Sequence, residues 1–318
     1  MGQQGVFRTL WLDDRRLMRL VLLTFALVII VGVSFGAYYY WDRYVHLGDQ
    51  SPFDLAEQHL LQQVRENPQD PGLRVALANL YFKDGLHELA IEQAHQILGK
   101  YPDDGDALLI LGMSYTQLGE VQTAVGYLEN FVTLRRGSPV LDADLVLEAA
   151  LYYLGQNYLA QNQPSMAEMV LREALEIERT DADAIYLLGQ AYAQQNKSEL
   201  AIEQYHNAVR FVPDFSEAYQ AMGESYLVLG KFDHANYALG AEAFSLGDNA
   251  KALEYLLGSI EGLPDFAPSQ LALGLTYESI GDLEMANNHL KRSLELDPSS
   301  YVAEHALGRI KAVLETGK

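Results

Sequence analysis

Apolar and small residues recur along this chain at helical spacing, and the stretch from Ala182 to Pro213 shows the pattern clearly. Apolar residues stand three and four positions apart in two successive segments, as amphipathic α-helices require. Pro213 stands where the second segment must end, because proline cannot continue a helix. The stretch predicts two antiparallel helices joined by a short turn. Its marked positions are Leu188, Gly189, Tyr192, Ala201, Tyr205 and Ala208.

The same pattern returns with a period of 34 residues. With Ala182 as position 1, small residues fall at positions 8, 20 and 27, a tyrosine at 11 and a proline near 32. Small residues let helix backbones approach closely, and the tyrosine is expected to fill the gap between neighbours. A single hairpin cannot bury its apolar face, so the hairpins must stack. Frames with the same pattern also begin at Pro71, Gly105, Glu148, Ser216 and Ala267, and Tyr301 opens a last half-frame.

This arrangement resembles the tetratricopeptide repeat (TPR) family, whose 34-residue unit is a helix–turn–helix. The resemblance covers about residues 71–318. It implies an all-α fold, an αα-hairpin solenoid of the kind called a TPR superhelix. The chain as a whole is predicted to carry this solenoid after a single N-terminal transmembrane helix.

Two departures from the period alter the expected helices. Residues 51–70 match only the second half of a repeat, so the segment 42–70 is predicted to be a connection followed by one helix. The step from Gly105 to Glu148 is nine residues longer than the period, and Ser138-Pro139 within it is typical of a helix start. A longer first helix is therefore expected over about 140–161.

A third departure is a second frame that begins at Asp233, half a repeat after Ser216. Its marked residues are Leu239, Gly240 and Ala252. The helix at about 232–246 is then expected to close one hairpin and to open the next. Two sub-blocks of the solenoid are predicted, at about 71–232 and 233–318.

The segment 20–41 has no charged residue, and at about 1.5 Å per residue a helix of that length crosses a bilayer. Tyrosines and Trp41 cluster at one end, where amphipathic rings prefer the membrane interface. An uncleaved anchor is predicted, which contacts membrane lipid through residues 20–41. The competing interpretation is a cleaved signal peptide, with Ser34 and Gly36 near the cleavage site.

Arginines predict the orientation of that span. Four arginines lie within residues 1–19, whereas only Arg43 closely follows the span. The positive-inside rule therefore places residues 1–19 in the cytoplasm or at its membrane face, and the solenoid outside. The predicted location is the plasma (inner) membrane, single-pass, with an extracytoplasmic or periplasmic TPR domain.

Composition excludes several kinds of chemistry. The chain has no cysteine, so disulfides, thiol nucleophiles and thiolate metal sites are excluded. Residues 42–318 hold 18 basic and 41 acidic residues, and such an acidic domain repels nucleic-acid backbones. The eight histidines form no metal-ligand pair, and no phosphate-binding or nucleophile motif is present. The sequence predicts a non-enzyme without catalytic residues, metal, cofactor or small-molecule substrate.

The family resemblance implies that the first helix of each hairpin lines a concave groove, with positions 5 and 9 among those facing it. Lysine and arginine are nearly absent there, which argues against the carboxylate-binding clamp of some TPR proteins. Asparagine and glutamine can pair with an extended backbone, and tyrosine adds rigid contact area. The expected ligand is an extended or helical protein segment of apolar or basic character. The candidate residues are Asn79, Tyr152, Gln156, Tyr186, Gln190, Gln220 and Tyr237.

These features together predict a membrane-tethered scaffold that holds or assembles a protein complex. Two other functions stay open at this point. One is a permanent accessory subunit of a large respiratory or photosynthetic membrane complex. The other resembles the TPR chaperones of cytochrome c maturation, which present an apoprotein to its ligation machinery.

Overall fold

Every regular element that the structure describes is an α-helix. The computed structural model describes residues 24, 25, 27–39, 51–136 and 144–316, and no strand occurs in these ranges. The predicted all-α hairpin solenoid is therefore confirmed for the described parts of residues 71–318. The helices are α1 (Pro52–Glu66), α2 (Pro71–Lys83), α3 (His87–Leu98), α4 (Gly105–Gln117), α5 (Val121–Arg135), α6 (Leu145–Ala160), α7 (Pro164–Ile177), α8 (Ala182–Gln194), α9 (Ser198–Phe211), α10 (Ser216–Val228), α11 (Phe232–Ser245), α12 (Asn249–Gly262), α13 (Ala267–Ile280), α14 (Leu283–Leu296) and α15 (Tyr301–Thr316).

The chain divides into two units, Met1–Asp70 and Pro71–Lys318. The first unit holds helical residues at 24–25 and 27–39 and the helix α1. Helix α1 occupies the segment that the sequence assigns to half a repeat. Its start is fixed by a capping box, in which Ser51 and Asp54 each accept a hydrogen bond from the other's backbone N–H.

The predicted membrane span, 20–41, includes residues 20–23, 26, 40 and 41, which lie outside the described residues. Among the residues with described positions, no helix is both long enough and apolar enough to cross a membrane. The large side chains along 27–39, such as Phe35 and Val33, are exposed.

A residue with positive φ marks the turn inside each hairpin of the second unit. Glycine fills this place at five turns, where it adopts the left-handed conformation without a steric cost. Asn162 and Asn196 fill it at two others, with φ of 57° and 60°. All seven residues stand at position 15 of their frames, so one backbone geometry closes every hairpin in the described ranges. The glycines are Gly85, Gly119, Gly230, Gly247 and Gly281.

The glycine at position 8 sets the close approach of the two helices in a hairpin. A Cβ added at Gly112 or Gly155 would lie 2.5 or 2.6 Å from the Cγ atom of Leu128 or Leu171, respectively. Those leucines stand at position 24, on the second helix, and both are fully buried. Position 8 is small because the side chain of position 24 occupies the space of its missing Cβ.

The predicted half-repeat step is present at α11. A Cβ on Gly223 of α10 would meet Leu239 of α11 at 3.1 Å, so α10 and α11 form a hairpin. One residue further, a Cβ on Gly240 would lie 2.6 Å from the Cγ atom of Leu256 on α12. Helix α11 thus closes one hairpin and opens the next. The turns before and after it both carry the left-handed glycine of a hairpin, Gly230 and Gly247.

The prediction of a helix over about 140–161 is wrong at its start. Helix α6 begins at Leu145, because the Asp144 side chain accepts a hydrogen bond from the Leu147 backbone N–H and caps the helix. Asp144 also forms an ion pair with Arg135 at the end of α5. Ser138-Pro139, the expected start, lies outside the described residues.

Candidate functional site

First helices of three successive hairpins, α6, α8 and α10, line a continuous groove. Two adjoining cavities of about 510 and 440 Å³ make it up, and they share Tyr186, Gln190, Gln194 and Glu217 as lining residues. We call this surface the polar groove. Its other lining residues are Tyr152, Gln156, Leu159, Ala160, Asp183, Leu187, Ala193, Asn196, Ser198, Tyr205, Phe215, Gln220, Ala221, Glu224, Ser225 and Val228.

Tyr186 and Gln190 form the centre of the polar groove. The Gln190 Nε2 atom donates to the Tyr186 hydroxyl over 2.8 Å, as expected for residues one helical turn apart. The Tyr186 ring lies 5.1 Å from that of Phe215 and 5.8 Å from that of Tyr205. These contacts hold the tyrosine in place and leave the Gln190 carbonyl oxygen available as an acceptor.

Three carboxylates give the polar groove a negative potential. Asp183, Glu217 and Glu224 line it, and no lysine, arginine or histidine is among its described lining residues. Burial raises the pKa of Asp183, and the nearby charges of Asp181 and Glu217 raise it further. Glu224 accepts a hydrogen bond of 3.0 Å from the Gln220 side chain. The groove is therefore suited to a ligand that brings positive charge.

Tyrosine hydroxyls in the polar groove stay protonated at neutral pH. Burial raises the pKa of Tyr152 to about 12, and the charge of Asp183 contributes to the shift. Burial also raises the pKa of Tyr186. Both hydroxyls can therefore donate to the carbonyl oxygen of a bound chain.

The structure brings together five of the seven residues that the sequence selects. Tyr152, Gln156, Tyr186, Gln190 and Gln220 all line the polar groove. Whether these residues bind a partner stays a prediction.

The other two residues lie elsewhere. Asn79, on α2, is half-buried and does not line the polar groove. Tyr237, on α11, is buried and lines a different, larger cavity. The candidate residues therefore do not form one site.

That larger cavity has a volume of about 830 Å³, and we call it the apolar cavity. Sequence reasoning selected only Tyr237 from it. The signal present in the sequence is a change of character at positions 5 and 9: Leu271 and Leu275 stand where earlier frames carry tyrosine and glutamine. Its lining residues are Val209, Arg210, Pro213, Asp214, Tyr219, Tyr237, Ala241, Phe244, Ser245, Ala267, Pro268, Leu271, Ala272, Leu275, Ser293, Asp297, Ser300 and Val302.

Metal-binding chemistry has no counterpart in the described part of the chain. No group of three or more histidine, aspartate or glutamate side chains lies close enough together there to hold a metal ion. His95 and His206 are hydrogen-bonded to tyrosine hydroxyls, and His289 to the side chain of Gln270.

A comparison with known sequences gives one curated relative of note and several repeat models. Cellulose synthase operon protein C of Escherichia coli (strain K12) is 29% identical over 148 residues. The match covers 45% of this chain and 13% of that protein, so the chain spans only a small part of its relative.

Solved structures resemble the chain in fold. YrrB, described as a TPR protein with an unusual peptide-binding site, has a TM-score of 0.52 and 20% identity, and the match covers 63% of this chain and 98% of that one. MamA has a TM-score of 0.49 and 25% identity, over 57% of this chain and 94% of that one. The YrrB likeness supports the TPR fold.

Family models agree with the repeat frames. A TPR repeat model matches residues 189–230, and two tetratricopeptide repeat models match residues 75–139 and 267–300. Each matched range contains the position-8 glycine or alanine and the left-handed turn that define the hairpins. Residues 75–139, 189–230 and 267–300 of this chain therefore carry tetratricopeptide repeats.

Proposed function

We propose that the chain is a protein-interaction scaffold that captures a segment of a partner protein in the polar groove. The observation that carries this proposal is a groove with fixed tyrosine rings, free amide groups and carboxylates, and no basic residue among its described lining residues. An extended segment can pair its backbone with Gln190 and Gln156, and its basic side chains with Glu217 and Asp183.

Binding of defined peptides tests the proposal. The probes are fluorescein-labelled 12-residue peptides, rich in lysine and arginine or rich in glutamate. We expect the full chain to bind the basic peptide at least tenfold more tightly, and added salt to weaken it. The double variant Tyr186→Ala/Gln190→Ala is expected to lose at least tenfold in affinity at unchanged helical content.

The matched control is Tyr101→Ala/Gln117→Ala, which removes an exposed tyrosine and an exposed glutamine outside the groove. This variant is expected to bind the basic peptide as the wild type does. Equal affinity of wild type and the groove variant for the basic peptide would exclude the polar groove as the binding surface.

We further propose that residues 20–41 tether the scaffold to the plasma membrane, with residues 1–19 in the cytoplasm. The support is the uncharged stretch, its aromatic end and the arginines before it. Since the chain has no cysteine, single cysteines at Gln4 and Gln50 can be labelled in intact cells with an impermeant maleimide. We expect labelling at position 50 only, and a chain that resists alkaline extraction; release into the supernatant would contradict the tether.

Purification in mild detergent separates three roles for such a scaffold. A transient assembly scaffold is recovered with its complex in substoichiometric amounts. A permanent accessory subunit of a respiratory or photosynthetic complex is recovered in a fixed ratio to the other subunits. A chaperone of cytochrome c maturation is recovered with haem-free cytochrome. We expect the first result, because an open groove with free hydrogen-bonding groups suits reversible binding.

A further inference from the structure

The apolar cavity is a second concave surface on the same unit. Its walls come from the ends of α9 and α14, from α10, α11 and α13, and from the start of α15. A volume of about 830 Å³ falls in the range of specific ligand sites, and the mixture of apolar walls with few polar groups is typical of them. Apolar side chains that form the walls include Tyr237, Phe244, Leu271 and Leu275.

The half-repeat step creates this cavity. Helix α11 belongs to two hairpins, and it faces the cavity with Tyr237, Ala241 and Phe244. Alanine at position 241 stands where the earlier frames carry the longer Gln156 and Gln190. The small side chain leaves the space open between Tyr237 and the leucines of α13.

Two tyrosine hydroxyls in the cavity wall make no hydrogen bond in the described structure. Tyr237 is 7% exposed, and its hydroxyl makes no hydrogen bond within the described ranges. Tyr219, which is half-buried and also lines the cavity, likewise makes no hydrogen bond through its hydroxyl within the described ranges. A ligand that supplies an acceptor can therefore bond to either hydroxyl without breaking an existing hydrogen bond. Burial raises the pKa of both tyrosines, which keeps them protonated as donors.

Charges at the cavity disfavour an anionic ligand. Asp214 and Asp297 line it against a single cation, Arg210. None of the ion pairs within the described parts of the chain includes Asp214. A fatty acid would bring a carboxylate to this acidic surface, whereas a peptide brings neutral carbonyl oxygens as acceptors.

The cavity adjoins the polar groove across one helix. On α10, Glu217, Gln220 and Glu224 line the groove, while Tyr219 lines the cavity. One polypeptide can therefore reach both surfaces. We propose that the apolar cavity binds two or three bulky apolar side chains of the same partner segment whose basic part lies in the polar groove, with a backbone carbonyl accepting from Tyr237. This inference rests on the proposed function and extends it to a two-part motif, basic and then apolar.

Labelled 20-residue peptides test the two-part motif on the full chain. One peptide joins a lysine-rich half to a half rich in leucine and phenylalanine; in the other, serine replaces the apolar residues. We expect the joined peptide to bind at least tenfold more tightly than the serine peptide. Tyr237→Phe is expected to reduce that advantage about fivefold, and Ala272→Trp, which fills the cavity, to abolish it.

The matched control is Tyr255→Phe, which removes a hydroxyl from α12 outside the cavity and is expected to change neither affinity. An advantage that persists in both Tyr237→Phe and Ala272→Trp overturns the inference. Because Tyr237→Phe keeps the shape of the ring, it remains informative if Ala272→Trp alters folding. One further result overturns the inference: the chain binds oleate tightly, Ala272→Trp abolishes that binding, and the joined peptide has no advantage over the serine peptide. This result would assign the cavity to a lipid.

The same measurements separate this inference from the proposed function. Loss of serine-peptide binding in Tyr186→Ala/Gln190→Ala supports the polar groove alone. If that variant binds the serine peptide normally while Tyr237→Phe weakens only the joined peptide, the groove is excluded and the cavity is retained.

Discussion

Glu148 carries a carboxyl group whose pKa is strongly raised by the fold. It lies in the first turn of α6, is 8% exposed, and its Oε1 atom has no hydrogen-bond partner in the described structure. Burial raises the pKa of its carboxyl group to about 8, and a hydrogen bond to the Asp181 carboxyl and the charge of that group add to the shift. At neutral pH the Glu148 carboxyl group therefore keeps its proton in the folded protein.

We predict that Glu148→Gln removes a pH dependence of stability. The carboxyl group of Glu148 has a pKa of 4.5 in the unfolded chain and about 8 in the folded protein. Between these two pH values the folded protein keeps the proton, whereas the unfolded chain has released it. Stability is therefore full below that window and falls as pH rises through it. The free energy of unfolding of the wild type should fall by more than about 1.4 kcal/mol from pH 5 to pH 8 relative to the variant. An equal change in the free energy of unfolding between pH 5 and pH 8 in the two proteins would contradict this prediction.

Glycine at position 8 and glycine elsewhere on a helix should respond oppositely to alanine. In Gly155→Ala the new Cβ would lie 2.6 Å from Leu171 Cγ, so we predict a loss of about 1–3 kcal/mol. In Gly126→Ala, on α5, the Cβ meets no heavy atom within 4 Å, and the higher helix propensity of alanine should add up to about 1 kcal/mol. Thermal unfolding of both variants measures the difference, and equal shifts would show that the close approach is unimportant.

At the scale of elements, a hydrogen bond between position 25 of one frame and the tyrosine at position 11 of the next joins four pairs of neighbouring hairpins. Three chemistries make the same contact: histidine, glutamate and arginine. The distances between bonded atoms are 2.6–3.2 Å, so the tyrosine bonds its neighbour as well as filling space. The pairs are His95–Tyr115, Glu129–Tyr158, Arg172–Tyr192 and His206–Tyr226.

Burial of His206 at its contact with Tyr226 should make the stability of the hairpins that precede α11 sensitive to acid. Burial lowers the pKa of His206, and the charge of His234, whose ring lies 5.1 Å from that of Tyr226, lowers it further. The unfolded chain takes up this proton first as pH falls, so stability is full above the unfolded pKa of about 6.5 and falls below it. We predict a steeper loss of Tm from pH 7 to pH 5 in the wild type than in His206→Gln. An equal loss would contradict the prediction.

The repeat period predicts most of these elements, because packing between helices demands small and large residues at fixed spacing. The frame at Asp233 predicts the shared helix α11, since Gly240 and Leu256 repeat the glycine–leucine pair of positions 8 and 24 found at Gly155 and Leu171. The start of α6 was missed because it depends on a hydrogen bond from a backbone N–H to Asp144, which the period does not encode.

The candidate surfaces were less predictable than the hairpins. Five residues of the polar groove follow from position 5 and position 9, because they lie on one face of successive first helices. The apolar cavity combines residues from six helices, and its size depends on the half-repeat step and on the small side chain of Ala241. Contacts of this kind arise from tertiary packing, and the sequence pattern of a single helix does not contain them.

At the scale of the molecule, the described core of the second unit includes a large cluster and a smaller, separate one near the end of the chain. Buried residues from Leu108 to Leu273 form a continuous cluster. A separate cluster consists of Ala286, Leu290, Ala303, Ala306 and Ile310. In stacked repeats each hairpin is stabilised by its neighbours, so a smaller core opens at a lower free energy.

We predict that amide hydrogens of α14 and α15 exchange faster than those of α6–α9. Leu290→Ala, which leaves a cavity in the small core, should accelerate exchange in α13–α15 and leave α6–α9 unchanged. Mass spectrometry of exchanged peptides measures both. Equal acceleration throughout the second unit would show that it opens as one cooperative body.

The shared helix α11 also reverses the direction of the helices that line the polar groove and the apolar cavity. Helices α6, α8 and α10 begin at one edge of the stack, whereas α11 and α13 begin at the opposite edge, because α10 and α11 are antiparallel. Side chains lean toward the N-terminus of their helix, and the helix dipole follows the same axis. An extended ligand that runs along the stack therefore meets lining helices of one direction before residue 232 and of the opposite direction after it. A ligand with a uniform repeat cannot match both parts equally well.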